Sequence, residues 1–241
     1  MRIALIGYGK MGQAIEQLAI GCGHTISHRV SVDNPQDLVL ITTENTDVAI
    51  EFSGPEAALA HVVHCLRHRV PVVSGTTGWL DHKSQADEFC LAHEGAFLYS
   101  ANFSIGVNIF LKLNQVLATL MNSQPHYQVR LEETHHTEKK DSPSGTALAI
   151  AADILRLSDQ FTSLAAQDEY EKIPLGTIPI RSYRIPDVPG THVVTYQSDI
   201  DVIEIRHDAR SRRGFAQGAL LAAEWLPGKT GVFAMTDLLS L

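Results

Sequence analysis

Apolar and polar positions follow two different patterns along the 241-residue chain. Residues 2–6 form a short apolar run, as a buried parallel strand does. Ile15, Leu18 and Ala19 follow at helical spacing, with Gln13 and Glu16 off that face. Strand-like runs recur at 24–30, 48–52, 70–73 and 96–99. A helix carrying Ala57, Ala58, Leu59, Val62, Val63 and Leu66 lies among them. Alternating strands and helices predict a parallel sheet covered by helices. After Phe103 the pattern changes. Residues 107–120 read as a helix with Ile109, Leu113, Val116 and Leu120 as its inner stripe. Period-two runs then begin at Tyr127, Ile178, Val193 and Val202, with turns at 186–190 and 198–199. They predict an open antiparallel or mixed sheet covered by one helix, 146–157, with 158–177 as a polar loop. A helix over 215–225 and a short apolar run over 232–241 complete the chain. The predicted fold class is α/β: an N-terminal Rossmann-like dinucleotide-binding domain and a second α+β domain on an open mixed sheet.

Chemistry sits where these elements end. Gly7-Tyr8-Gly9-Lys10-Met11-Gly12 fits G-x-G-x-x-G between the first strand and the first helix, the context in which that pattern points to a dinucleotide. Gly75-Thr76-Thr77 and Ser100-Ala101-Asn102-Phe103 end two later strands on the same edge, with Phe103 available to pack on an apolar face of the ligand. Arg29, Ser31 and Asp33 occupy the end of the second strand, where an acid favours NAD and an arginine favours NADP, so both NADH and NADPH stay open. The densest chemistry is at 134–148. His135, His136, Lys139 and Lys140 precede Ser144-Gly145-Thr146, which reads as a helix start able to receive an anion. By itself that stretch fits either an acid-binding pocket with a proton donor or a charged loop capping a helix. His61, His64 and His68 share a helix face and are read as solvated rather than metal-binding.

Composition narrows the function classes. A net charge of -8 argues against nucleic acid as the main partner. With 44% hydrophobic and 19% charged residues, long disorder is not expected. Cys22, Cys65 and Cys90 are widely spaced and read as reduced thiols of a cytoplasmic protein, with no metal site expected. No apolar stretch suits a signal peptide or a membrane span.

The run 135–148, His-His-Thr-Glu-Lys-Lys-Asp-Ser-Pro-Ser-Gly-Thr-Ala-Leu, resembles the signature of the 4-hydroxy-tetrahydrodipicolinate reductase (dihydrodipicolinate reductase) family. The glycine fingerprint at 7–12, Gly75-Thr76-Thr77-Gly78, Ala101-Asn102-Phe103-Ser104 and Phe215-Ala216-Gln217-Gly218-Ala219 stand in the family's order and spacing. The resemblance implies reduction of a cyclic dicarboxylate imine by NADH or NADPH in the diaminopimelate and lysine pathway. His135 matches the proton donor and Lys139 the second catalytic residue. His136, Gly145 and Thr146 match contacts to the substrate's carboxylates. Gly7, Tyr8, Gly9, Lys10, Met11, Gly12, Gly75, Thr76, Thr77, Ser100, Ala101, Asn102 and Phe103 match the cofactor site. A homotetramer is implied, with residues 104–217 as the substrate-binding and oligomerisation domain and 1–103 plus 218–241 as the dinucleotide domain. Ser31 departs from the family's common acidic residue. A related dehydrogenase of an amino acid or sugar acid, or a non-catalytic nucleotide-binding regulator, are the alternatives.

Overall fold

The structure, a computed structural model, describes residues 1–167, 173–211 and 213–241. The chain forms two compact units, Met1–Ile105 with Arg213–Leu241, and Gly106–Arg212. The first contains, in order, β1 (Arg2–Ile6), α1 (Lys10–Gly21), β2 (Thr25–Val30), β3 (Val48–Glu51), α2 (Pro55–Arg67), β4 (Val72–Ser74), α3 (Lys83–Ala92) and β5 (Ala96–Tyr99). The second contains α4 (Ile105–Met121, whose first residue falls in the first unit), β6 (Gln128–His135), α5 (Gly145–Leu157), β7 (Ser163–Gln167), β8 (Thr177–Arg184), β9 (Gly190–Gln197) and β10 (Val202–Ala209). The chain then returns to the first unit with α6 (Arg213–Trp225), β11 (Gly231–Phe233) and α7 (Met235–Leu239).

The first sheet runs β11-β5-β4-β3-β1-β2, and every pairing in it is parallel. Its central strands β1, β3, β4 and β5 are short and mostly apolar because both faces are covered, while the edge strand β2 is half polar. Ile3, Leu5, Ile50 and Leu98 pack with Ile15 and Ala19 of α1 and Ala219, Ala222 and Ala223 of α6. Ala4, Ile6, Ala49 and Phe97 pack with Val62 and Leu66 of α2 and Cys90 of α3. β1 is flanked by β2 and β3, so the strand order reverses there, which places a ligand crevice at the ends of β1 and β3. Small residues let α6 sit close: a Cβ on Gly218 would lie 1.8 Å from the carbonyl oxygen of Phe103.

The second sheet is mixed, in the order β10-β9-β6-β8-β7, with β6, β8 and β7 parallel and β9 antiparallel to both its neighbours. Two helices cover it, not one. Phe110, Ala118 and Met121 of α4 join Ala147, Ile150 and Ile154 of α5 over Leu131, Ile180 and Val194. The predicted inner stripe of α4 faces outward instead: Ile109, Leu113, Val116 and Leu120 are 43%, 51%, 49% and 63% exposed. The helix is apolar almost all round, so periodicity did not identify the packed side. The buried face has a small residue and an amide where α5 approaches, Ala118 and Asn114, and Asn114 Nδ2 donates to the Ile150 carbonyl at 3.2 Å. The expected loop over 158–177 contains β7, which pairs with β8; the part of that loop at 168–172 lies outside the described residues. Glu16 is also displaced from expectation. It is buried on the packed side of α1, where Tyr8 and Arg29 engage its carboxylate.

Gly218→Ala should lower the stability of the folded chain by about 1–3 kcal/mol, because backbone rather than a flexible side chain occupies the Cβ position. Scanning calorimetry should show a thermal midpoint roughly 3–10 °C lower. An unchanged midpoint would refute the close approach.

Candidate active site

The loops ending β1, β3 and β4 form a cradle that fits a dinucleotide. Gly7 has φ +93°, and a Cβ there would lie 1.9 Å from the Phe52 carbonyl oxygen. A Cβ on Gly12 would lie 2.4 Å from the Gly7 oxygen, and one on Gly75 would lie 2.2 Å from the Phe52 ring. Gly9 differs from these, since a Cβ there would meet nothing within 4 Å. It caps the N-terminus of α1, where free N–H groups and open space suit a pyrophosphate. The ring of Phe103 is not available to a ligand as expected. It is 2% exposed and packs in the core, 5.6 Å from the Phe52 ring. Phe52 is half-buried, with its ring against Gly75 and its carbonyl against Gly7.

Glu51, the last residue of β3, is fully buried beneath these loops. Its carboxylate accepts hydrogen bonds from Ser74 Oγ at 2.6 Å, Thr76 Oγ1 at 2.6 Å, the Ser53 amide at 2.9 Å and the Ser53 hydroxyl. Burial pushes its pKa up, but His61 and the three hydroxyls together outweigh burial and hold it below the usual carboxylate range. The histidine face of α2 is therefore not simply solvated. His61 Nδ1 lies 3.0 Å from Ser53 Oγ, His64 is half-buried, and of the three only His68 is exposed. At the end of β2, Arg29 pairs with Glu16, and Ser31 donates from its amide and hydroxyl to Asn34 Oδ1 at 2.8 and 2.7 Å.

In the second unit, sheet register builds a polar layer directly on the apolar core. Along the inward face of β6, Val129 and Leu131 give way to Glu133 and His135, all four buried. Leu131 pairs with Ile180 and Val194, Glu133 with Ser182 and His192, and His135 with Arg184. Glu133 Oε1 accepts from Ser182 Oγ at 2.7 Å and from the Ser144 amide at 3.0 Å, and Arg184 lies 3.5 Å away. Its Oε2 faces His135 Nδ1 at 3.5 Å and His192 Nε2 at 3.7 Å. The other edge of the His135 ring lies over Gly190, whose Cβ would stand 3.1 Å from Nε2.

The N-terminus of α5 stands beside this layer. Ser144 caps it, its hydroxyl accepting from the Ala147 amide at 3.2 Å. Glu133 takes the Ser144 amide, which leaves the Gly145 and Thr146 amides as the first-turn donors. A Cβ on Gly145 would meet nothing within 4 Å. Lys139 Nζ is paired with the Asp141 carboxylate at 2.8 and 2.9 Å, and Arg184 donates to the Asp141 carbonyl at 2.6 Å. His136 follows β6 with its ring half-buried, outside the Glu133 cluster, and Lys140 is exposed.

Burial lowers the pKa of His135, and Glu133 opposes that while Lys139 and Arg184 add to it; the balance is a ring below its ordinary value. Burial first, and then His135, pushes His192 down to about 4. Glu133 itself is raised by burial but lowered further by the Ser144 and Ser182 bonds, so it is a carboxylate at neutral pH. Glu133, His135 and His192 have ligand atoms within 4.8 Å of one another and could hold a cation, but Arg184 beside the same carboxylate opposes one.

Sequence reasoning did not single out Glu51, Glu133, His192 or Arg184. A carboxylate inside an apolar strand was a readable signal for Glu51, and the i, i+2 spacing from His135 was one for Glu133. His192 and Arg184 reach the site through strand register alone. A cavity of about 610 Å³ lies at the opposite end of the second sheet, near Tyr127, Gln128, Phe161 and Gln197, and none of the predicted site residues lines it.

Known proteins match along the whole chain. The family described as "Dihydrodipicolinate reductase, N-terminus" matches residues 1–103, and "Dihydrodipicolinate reductase, C-terminus" matches 106–239. A 4-hydroxy-tetrahydrodipicolinate reductase of Christiangramia forsetii is 49% identical over all of this chain and 98% of its own. One of Neisseria meningitidis serogroup B is 32% identical over 94% of this chain and 84% of its own. A solved dihydrodipicolinate reductase from Paenisporosarcina sp. TG-14, with dipicolinate bound, shares the fold at TM-score 0.78 and 22% identity, covering 97% of each chain. With both units matched in order and both relatives aligned almost end to end, the chain belongs to the dihydrodipicolinate reductase family and is an NAD(P)H-dependent oxidoreductase.

Proposed function

We propose that this chain reduces the dehydrated form of 4-hydroxy-tetrahydrodipicolinate to tetrahydrodipicolinate in the diaminopimelate and lysine pathway. One observation carries the reading: a buried histidine ends β6 beside the N-terminus of α5, whose Gly145 is open to an approaching anion. Bound NAD(P)H supplies the hydride. His135 supplies the proton that completes the two-electron reduction. The Gly145 and Thr146 amides, with His136, receive the substrate's carboxylates, and the partial charge of the helix end favours both dianion and transition state. Lys139 exchanges Asp141 for substrate and acts as the second catalytic residue. The residues at 7–12, 75–77 and 100–103 hold the cofactor, with Phe103 contributing backbone rather than its ring.

With its synthase-derived substrate, the purified protein should oxidise NADH or NADPH, and no oxidation with either would refute the reading. His135→Gln and Lys139→Ala should each lower kcat by about 10²-fold or more with cofactor affinity nearly unchanged. Wild-type rates in both variants would remove the catalytic assignment.

Both cofactors are accepted on this reading. Ser31 brings no carboxylate to a ribose 2′-hydroxyl, and Arg29 is neutralised by Glu16 rather than free to clamp a 2′-phosphate. Ser31→Asp should raise the NADH-to-NADPH ratio of kcat/KM by about tenfold, a difference of ~1.4 kcal/mol. A ratio that stays put would place the discrimination elsewhere.

We infer a cytoplasmic homotetramer. Two buried unpaired thiols, Cys65 and Cys90, suit a reducing compartment, and no helix among the described residues is long and apolar enough to cross a membrane. Apolar side chains exposed on α4 and β10, Leu113, Leu120 and Val202 among them, are surface that assembly would cover. Sedimentation should give one species near four times the 26.4 kDa chain, and a monomer at micromolar concentration would contradict it.

A further inference from the structure

We propose that Glu133 is the positioning residue of the reduction: its carboxylate holds the His135 ring from the Nδ1 side and stabilises the protonated ring that donates to the substrate. The inference rests on the reading of His135 as proton donor and deepens it.

The geometry supports a divided carboxylate. Oε1 is fixed by three partners on two elements: the Ser144 amide at the start of α5, and the Ser182 hydroxyl and Arg184 guanidinium of β8. Those contacts leave Oε2 aimed at two rings, His135 Nδ1 at 3.5 Å and His192 Nε2 at 3.7 Å. Glu133 Oε2 and His135 Nδ1 are both buried, lie 3.5 Å apart and have no hydrogen-bond partner, so each is the polar group placed to answer the other's charge. A carboxylate facing one ring nitrogen selects the tautomer and leaves the other nitrogen for the substrate. Here the other nitrogen, Nε2, lies over Gly190, where the absence of a side chain keeps the ring's far edge uncrowded.

Two rings compete for Oε2, and burial settles the competition. His192 is the more deeply buried in the sheet and stays neutral down to about 4. Its ring meets His135 edge-on, with centroids 5.1 Å apart, so it fills space beside Glu133 without drawing the charge. The titratable and charged groups facing His135 are Glu133 on its own strand, Arg184 on β8, the neutral His192 on β9, and Lys139 and Asp141 on the following loop. Burial, Lys139 and Arg184 disfavour a cation, and Glu133 is the largest influence favouring one. A proton donor is active only below its pKa, so the rate falls as pH rises through the pKa of His135. Removing the carboxylate lowers that pKa further, which moves the basic limb of the profile to lower pH.

The test is the pH dependence of kcat for wild type, Glu133→Gln and Glu133→Asp, with cofactor Kd measured by fluorescence. The expected result is a limb displaced to lower pH in Glu133→Gln and displaced less in Glu133→Asp. At neutral pH kcat should fall roughly 10–100-fold in Glu133→Gln, with cofactor Kd within about twofold of wild type. A fall in kcat with the limb in place would mean a structural role only and would overturn the proposal, as would no change at all. NMR titration of the His135 ring in each folded variant gives a second readout. Should Glu133→Gln fail to fold, Glu133→Asp carries the test, and an unaltered His135 titration there refutes the coupling. Wild-type turnover in His135→Gln would instead sink the underlying donor reading, while the NMR titration still reports on Glu133 and His135.

Discussion

Two ionised carboxylates buried at the carboxyl ends of parallel strands organise this molecule. Moving such an ion out of water costs several kcal/mol unless hydrogen bonds replace the lost solvation. Glu51 and Glu133 meet that requirement in the same way. Each recruits a serine at its own register position on the adjacent parallel strand, Ser74 for Glu51 and Ser182 for Glu133. Each also binds a backbone amide of a following segment, Ser53 in the first unit and Ser144 in the second. The loops that carry the chemistry are therefore tied to the sheets by charge-assisted bonds, which are stronger than neutral ones. Parallel register matters here because it puts equivalent strand ends side by side, so one carboxylate can serve several loops.

The same arrangement explains how each sheet passes from core to site without a gap. On β6 the inward face changes from Leu131 to Glu133 to His135 in steps of two residues, and the paired strands change with it. The apolar rows below fix the backbone, and the polar rows above inherit that rigidity. Side chains on strands and at a helix cap are held more tightly than side chains on free loops, which suits a site that must align a ring, a helix terminus and an incoming anion.

Much of this was legible in the chain. The βαβ alternation, the fingerprint at 7–12 and the polar run at 134–148 are local patterns, and local patterns carry periodicity and turn chemistry directly. The errors have a common physical origin in contacts between distant segments. Ile109, Leu113, Val116 and Leu120 have ideal helical spacing, yet α4 packs through Val107, Phe110, Asn114 and Ala118, where Asn114 bonds the Ile150 carbonyl of α5. Glu16 looks like a solvent residue until Arg29 of the neighbouring strand reaches it. Phe103 looks like a ligand platform until Phe52 and α6 enclose its ring. His192 and Arg184 lie far from 134–148 in sequence and join it only through pairing with β6, which no single window of residues contains.

The return of residues 213–241 to the first unit has a consequence for how the protein is made. Ala216, Ala219, Ala222, Ala223, Leu226 and Met235 fill the same core as Ile3, Leu5 and Ile15, and β11 forms the edge strand beside β5. On the ribosome, the dinucleotide unit begins before the second unit and finishes after it. Its sheet emerges early with one face covered only by α1, and the rest of that face waits for residues 213–241. The second unit is continuous in sequence and can close during that wait. Nascent chains stalled before residue 213 would thus leave Ile3, Leu5 and Leu98 on a half-covered sheet, an apolar surface that invites aggregation.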